Sequence, residues 1–226
     1  MIDMKEIVLS GIRPTGNLHL GNYYGAVTSF IKLQEAYKCL FFIADWRALT
    51  THPTPGDIQN SVRTILAEYL ACGLDPEKAT IYVQSDVPEV IELYLYLNMN
   101  AYLGELERVT SFKDKEQNME MARKFGRRFN MMYNVEFFPE PQSFSLAKEG
   151  GLKVPRLDGS GQMGKSEGNC IYLCDEPSVI RKKVMKAVTD SGPTAPNSEK
   201  PDVIQNLFTL LEIVSSKDTY QYFDEK

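Results

Sequence analysis

The chain has 226 residues, 43% of them hydrophobic and 24% charged, the balance of a globular protein rather than a disordered one. At about 150 residues per domain its length falls between one and two domains. With 25 Lys plus Arg against 30 Asp plus Glu, its net charge of −5 excludes a general coater of nucleic acid but not a partner that reads one basic patch.

In chain order, Ile7 to Leu9 is a short β-prone run that ends at Ser10-Gly11. A helical pattern follows from Gly21 to about Ala36, with Tyr24, Val27, Phe30, Ile31 and Leu33 on one side. Cys39 to Ala44 is a continuous apolar strand of the kind buried on both faces. Asp45 to Pro55 reads as a loop, Ile58 to Cys72 as a helix stopped by Gly73, Ala79 to Val83 as a third strand and Pro88 to Tyr102 as an apolar helix. Strands alternating with helices of this length predict an α/β fold, a Rossmann-type parallel sheet with helices on both faces.

The second half is less regular. Glu116 to Asn130 predicts a helix with Arg123, Lys124, Arg127 and Arg128 in its C-terminal half. Val135 to Phe138 and Gly151 to Leu157 read as short strands or loop edges, and Asp158 to Asn169 is rich in Gly and Ser. Glu176 to Thr189 is helical and basic, Thr189 to Pro201 is a polar loop, and Val203 to Val214 is an apolar helix.

The four cysteines (Cys39, Cys72, Cys170, Cys174) form no pair of CxxC motifs, and two histidines (His19, His52) cannot furnish a His-rich site, so no protein-held metal is expected. The N-terminal MIDMKEIVLSG lacks the pattern of a signal peptide, and the apolar run Cys39 to Ala44 is far too short to span a membrane. A cytoplasmic chain with reduced thiols and no membrane contact is expected.

Two segments carry the chemistry. In Ser10-Gly-Ile-Arg13-Pro14-Thr15-Gly16-Asn-Leu-His19-Leu-Gly21-Asn22, a strand ends and a helix opens. In a Rossmann-type sheet that is where phosphates meet a helix N-terminus, and His19 and Asn22 would stand beside it. The plainer alternative is a tight turn whose His bonds only its neighbours. The second segment, Gly159-Ser-Gly-Gln162-Met163-Gly164-Lys165-Ser166, satisfies the P-loop pattern G-x-x-x-x-G-K-[ST]. A P-loop must enter a helix at once, yet here Gly168 and a β-like Ile-Tyr-Leu follow, so a Gly-rich loop carrying Lys165 and Ser166 to a nucleotide fits better.

In this order, the two segments resemble the signature pair of the class I aminoacyl-tRNA synthetases. The first resembles the HIGH motif through His19, Gly21 and Asn22. The second resembles the KMSKS loop, keeping Met163, Lys165 and Ser166 while Gln162 replaces the first Lys and Gly164 the inner Ser. SGIRPTGNLHLGNYYGA, FFIADWRALT, GELERVTSFKDK and KAVTDS together resemble the tryptophanyl-tRNA synthetases, a likeness that runs over nearly the whole chain.

The resemblance implies two steps. The tryptophan carboxylate attacks the α-phosphorus of ATP, and the aminoacyl group then passes to tRNA(Trp). Catalysis of this kind is positioning and charge stabilisation. Arg13, Pro14, Thr15, His19, Gly21 and Asn22, with Gln162, Met163, Gly164, Lys165 and Ser166, would hold ATP, and Mg²⁺ would bridge its phosphates. His19, Lys165, Ser166 and Lys113 would serve the reaction itself; alternatively Lys113 is a solvated lysine. Leu9, Gly11, Ala44 and Arg47 match positions lining the tryptophan pocket, where Arg47 would stack on the indole, pair with the carboxylate or simply pair with Asp45. The resemblance also implies a homodimer, with a nucleotide-binding catalytic domain over 1–175 and the start of a helical tRNA anticodon-binding domain over 176–226.

The chain departs from the family pattern directly after Lys115. There the family continues with a segment that holds an Asp bonding the indole N–H and a turn at the ribose, whereas here Glu116-Gln-Asn-Met-Glu-Met follows at once. Roughly three dozen residues are missing at that junction, enough for a loop and a helix. Two explanations stand: a deletion, or a longer protein of which this sequence joins two parts, which a mass well above 25.6 kDa would reveal. The competing functions are the tyrosine enzyme of the same subclass, a nucleotide-binding relative that has lost catalysis, and a P-loop phosphotransferase.

Overall fold

The computed structural model describes residues 6–50, 55–99, 115–143, 154–159, 161, 163, 170–190 and 199–225. The chain divides into two compact units, Met1–Gln84 with Ala147–Lys226, and Ser85–Leu146.

The first unit is built on a parallel sheet in the order β1 (Ile7–Ile12), β2 (Lys38–Ile43), β3 (Ala79–Val83). β1 and β2 pair from Ile7 opposite Lys38 to Ile12 opposite Ile43, and β2 and β3 from Cys39 opposite Ala79 to Ile43 opposite Val83. Parallel neighbours require crossovers, which the helical segments between the strands supply. After β1 come α1 (Leu20–Asn22), a π-helical stretch over Tyr23–Val27 and α2 (Thr28–Ala36). After β2 come α3 (Asp45–Ala48) and α4 (Pro55–Ala71). The predicted parallel Rossmann-type sheet is therefore present.

The core lies between the helices and β2. Phe30 of α2 stacks on Phe41 of β2 with centroids 4.3 Å apart, and Tyr69 of α4 meets Phe30 edge-on at 6.2 Å. Val27, Leu33, Cys39, Ile43, Ile65 and Leu74 fill the space around them. Burial of this order, at about 25 cal/mol per Å² of apolar surface, is the main stabilising term of such a core. Burial also pushes the Tyr69 hydroxyl well above its ordinary range, so it stays neutral. Buried Gln34 is satisfied at both ends: its amide donates to the Gly73 carbonyl (3.1 Å) and its carbonyl accepts from Asp75 N–H (3.0 Å). That clamp fixes the turn entering β3, where Gly73 takes φ +105°, a conformation that costs glycine little.

A second core in the same unit joins Val154, Leu157, Met163, Cys170, Ile171 and Leu210. Leu210 belongs to α8 (Asp202–Val214); α7 (Pro177–Val184) and α9 (Lys217–Asp224) flank it in sequence. Ser216 caps α9 by accepting from Thr219 N–H at 3.2 Å.

The second unit contains α5 (Glu89–Met99) and α6 (Lys115–Tyr133). Asn130 ties α6 to the chain beyond it: its carbonyl oxygen accepts from Phe137 N–H (3.1 Å) and Phe138 N–H (3.0 Å), and its amide donates to Phe138 O (2.9 Å). Phe129 packs beside Tyr133 and Phe138 at 4.7 and 5.0 Å. Arg123 and Arg127 of the basic helix end meet Glu140, which the Arg127 guanidinium holds below the usual carboxylate range.

Several boundaries differ from the sequence expectation. Asp45–Ala48 forms a short helix where a loop was expected, because Asp45 stands in its first turn. α4 begins at Pro55, a residue suited to the first helical turn. Val135–Phe138 is irregular rather than a strand, its backbone being bonded by Asn130 instead of a strand partner. α9 was not anticipated; the Ser216-x-x-Thr219 cap was its signal.

Candidate active site

The turn leaving β1 is held on all sides. Ala44 N–H donates to the Ile12 carbonyl at 2.9 Å, and Thr15 N–H donates to Arg13 O at 2.9 Å. Pro14 is fully buried and Arg13 exposed. Gly16 sits at φ +92°. Gly11 is required by packing: a Cβ there would stand 2.4 Å from the Phe42 carbonyl oxygen.

His19 and Asn22 form a reciprocal cap at the start of α1. Asn22 N–H donates to His19 Nδ1, and His19 N–H donates to Asn22 Oδ1, each at 3.3 Å. This is a capping box with His and Asn in place of Ser and Glu. It has a chemical consequence. With Nδ1 accepting, the neutral ring carries its proton on Nε2, an assignment that follows from the bond network. His19 is 5% exposed, so its ring is fixed rather than solvated. Gly21 makes room for it: a Cβ on Gly21 would come within 2.9 Å of His19 Nδ1 and Cε1.

The two motif segments meet at this turn. The same Cβ on Gly21 would lie 3.4 Å from Met163 Cβ, so Met163 borders the histidine turn. Beyond the second motif the chain pairs with the first: His19 bridges Tyr172 antiparallel, Leu20 N–H donates to Ile171 O (3.0 Å), and Leu173 N–H donates to Leu18 O (2.9 Å). From the other side, Leu18 N–H donates to Glu68 Oε2 of α4 at 2.8 Å.

Sequence reasoning missed the group that holds the 170–173 segment. Lys183 of α7 donates to Asp175 Oδ2 (2.5 Å) and to the Cys170 carbonyl (2.9 Å), and lies 4.7 Å from the centre of the Tyr172 ring. Asp175 Oδ2 also accepts from Tyr172 N–H at 2.8 Å. One lysine thus closes a turn by charge-assisted hydrogen bonds and a cation–π contact. Burial raises the Tyr172 hydroxyl above its ordinary range, so it remains a protonated donor at neutral pH. The Asp175-Glu-Pro sequence after a β-like run was the available signal.

Of the expected tryptophan-pocket residues, Gly11 and Ala44 lie at the C-terminal ends of β1 and β2, with Ala44 buried. Arg47 is exposed on α3. Leu9 is 61% exposed, an unusual state for an apolar residue of a parallel strand. Lys113, Gln162, Gly164, Lys165 and Ser166 lie outside the described residues. A P-loop asks for a helix that runs on from Lys165, and the described residues 170–176 form none. Among the described residues, no three His, Cys, Asp or Glu side chains could hold a metal ion, and no helix is long and apolar enough to cross a membrane.

Known proteins resemble this chain over nearly its whole length. The family model for class I tRNA synthetases (W and Y) matches residues 4–120 and 113–226. The tryptophan–tRNA ligase of Porphyromonas gingivalis is 61% identical over 97% of this chain and 78% of its own length. That of Clostridium perfringens is 36% identical over 93% of this chain and 75% of its own. The Campylobacter jejuni tryptophanyl-tRNA synthetase solved with ADP and tryptophan superposes with a TM-score of 0.81 at 26% identity, over 96% of this chain and 78% of that one.

The matches also locate a shortening. The P. gingivalis alignment runs over 257 residues, whereas 97% of 226 is about 219, so about 38 of its positions face no residue here. A Listeria monocytogenes relative gives about 39 by the same comparison, 263 positions against 99% of the chain. The two family-model segments overlap at 113–120, where the sequence pattern breaks.

Proposed function

The chain belongs to the class I tRNA synthetases for tryptophan and tyrosine, and from that premise we propose that it ligates tryptophan to its tRNA. The observation that carries the reading is the reciprocal His19–Asn22 cap with Met163 at Gly21, which brings both signature segments to one helix start. Tryptophan attacks the α-phosphorus of ATP, pyrophosphate leaves, and the acyl group passes to the tRNA ribose. His19 Nε2–H donates to the phosphates, and helix-start amides add their positive field. A fixed donor of this kind stabilises developing charge without reorganising.

Arg13, Pro14, Thr15, Gly21 and Asn22 shape the ATP side, and Gln162, Met163, Gly164, Lys165 and Ser166 approach it from the second segment. Lys165, Ser166 and Lys113 serve the leaving pyrophosphate. Mg²⁺ would enter with the nucleotide, since no cluster of His, Cys, Asp or Glu among the described residues would hold it alone, and would offset phosphate charge beside the His19 turn. Leu9, Gly11, Ala44 and Arg47 border the amino acid. Residues 176–226 belong to the helical part that meets tRNA, and exposed Arg181, Lys182 and Lys186 support contact with phosphates there. The exposed Tyr94, Tyr96 and Met99 of α5 support a homodimer, and the protein works in the cytoplasm.

The test is ATP–pyrophosphate exchange with tryptophan and with tyrosine. His19→Ala and Lys165→Ala each lower tryptophan-dependent exchange by about 10²-fold or more, as loss of an oxyanion donor does. Near-normal turnover in both variants overturns the assignment. A second reading, a nucleotide-binding relative without catalysis, is favoured by the shortening at 113–120. ATP binding with no amino-acid-dependent exchange would establish it.

A further inference from the structure

The segment 170–173 is bonded along both edges, and its two edges have different partners. Toward the histidine turn, Ile171 O accepts from Leu20 N–H at 3.0 Å and Leu173 N–H donates to Leu18 O at 2.9 Å. In an extended chain the backbone groups of alternate residues point the other way. Cys170 O and Tyr172 N–H therefore face away from the turn, where a sheet would supply another strand. Two side chains stand in for that strand. Lys183 Nζ donates to Cys170 O at 2.9 Å, and Asp175 Oδ2 accepts from Tyr172 N–H at 2.8 Å. Lys183 Nζ also donates to Asp175 Oδ2, which links the two stand-ins.

The pattern of α7 marks Lys183 independently. Ile180 and Lys183 share one helical face, and Ile180 packs against the second core. Val179, Val184 and Met185 are meanwhile 37%, 46% and 76% exposed. The helix thus turns a lysine inward and leaves three apolar side chains to water. Such a breach of the local rule is expected at functional positions, because an ammonium withdrawn from water is costly unless its donors are used. Arg181 and Lys182 of the same turn face solvent. Lys183 and Asp175 are 24% and 13% exposed, which separates them from the surface pairs that contribute little.

We propose that Lys183 is a positioning residue for the ATP-dependent step: from outside the nucleotide site it holds segment 170–173 against Leu18 and Leu20, and so fixes where the His19 ring stands. His19 is the residue bridged to Tyr172, with a backbone bond of the segment on either side of it. A shift of the segment therefore reaches the histidine directly, and a misplacement of about 1 Å in a catalytic group can cost about 10²-fold in rate. The kinetic consequence rests on the ligase reading; the effect on the turn and on bound ATP does not.

Hydrogen exchange on the full chain reads the positioning without any reaction. In Lys183→Met the amides of Leu20 and Leu173 exchange at least about tenfold faster than in the parent, while those of Phe41 and Ile43 keep their rates. Unchanged exchange at Leu20 and Leu173 overturns the proposal. If Phe41 and Ile43 lose protection as well, Asp175→Asn replaces the variant: it weakens the same link and speeds the two turn amides about threefold. Lys183→Arg keeps a cation with donors for both acceptors and restores the protection. In tryptophan-dependent ATP–pyrophosphate exchange, Lys183→Met lowers kcat/KM for ATP about tenfold with the KM for tryptophan unchanged, and Lys183→Arg recovers it to within about threefold. Introduced into His19→Ala, Lys183→Met costs less than about twofold, because the ring it positions is gone. Equal losses in the two backgrounds make Lys183 a structural residue only and overturn the proposal. A parent without tryptophan-dependent exchange sinks the ligase reading alone; the amide rates and ATP titration of Lys183→Met then decide the positioning role.

Discussion

β1 and β2 are both six-residue, largely apolar strands paired in register, yet they occupy opposite environments. β2 has a strand on either side and an aromatic layer over Phe41; β1 leaves Ile7 and Leu9 in solvent. The difference lies in their neighbours, since either sequence would suit a buried strand. β1 is also divided within itself. Its C-terminal end runs into a turn fixed by Ala44, Glu68, Ile171 and Leu173, while its outer edge carries nothing comparable among the described residues.

The sharpest way to break this contrast is to truncate both strands. Phe41→Ala removes about 3–5 kcal/mol in urea unfolding, the cost of emptying a packed aromatic site. Next comes the anchored end. Lys183→Met removes the ammonium that donates to both Asp175 and the Cys170 carbonyl, and costs about 1–3 kcal/mol. The same variant weakens ATP binding by loosening the 170–173 pairing, which isothermal titration reads; unchanged affinity would detach that pairing from the site. Asn22→Ala removes the side-chain acceptor of the His19 N–H and costs about 1 kcal/mol, while the Asn22 N–H that holds the His19 ring is kept. Histidine NMR would show the His19 tautomer retained, since Nδ1 still accepts from the backbone N–H of residue 22. Smallest is Leu9→Ala, expected within about 0.5 kcal/mol of the parent because the side chain already faces water. A loss approaching that of Phe41→Ala would mean that the β1 face is covered in solution.

The parallel sheet was legible because continuous apolar runs such as Cys39–Ala44 alternate with helix-length segments. The histidine turn was legible as a strand-to-helix junction, though its bonding was not: nothing in the spacing of His19 and Asn22 says that each caps the other. The closure by Tyr172, Asp175 and Lys183 was hidden because it depends on contacts between Leu18 and Leu173, far apart in sequence. α9 escaped notice because a helix of eight residues has little periodicity to read. The break after Lys115 was visible only through the family pattern.

The central claim is tested most directly by ATP–pyrophosphate exchange, with tryptophan and tyrosine compared in the parent chain and in His19→Ala. The account predicts exchange that depends on tryptophan, exceeds that with tyrosine and falls by about 10²-fold in the variant. Exchange indifferent to the amino acid, or unchanged when His19 is removed, would contradict it.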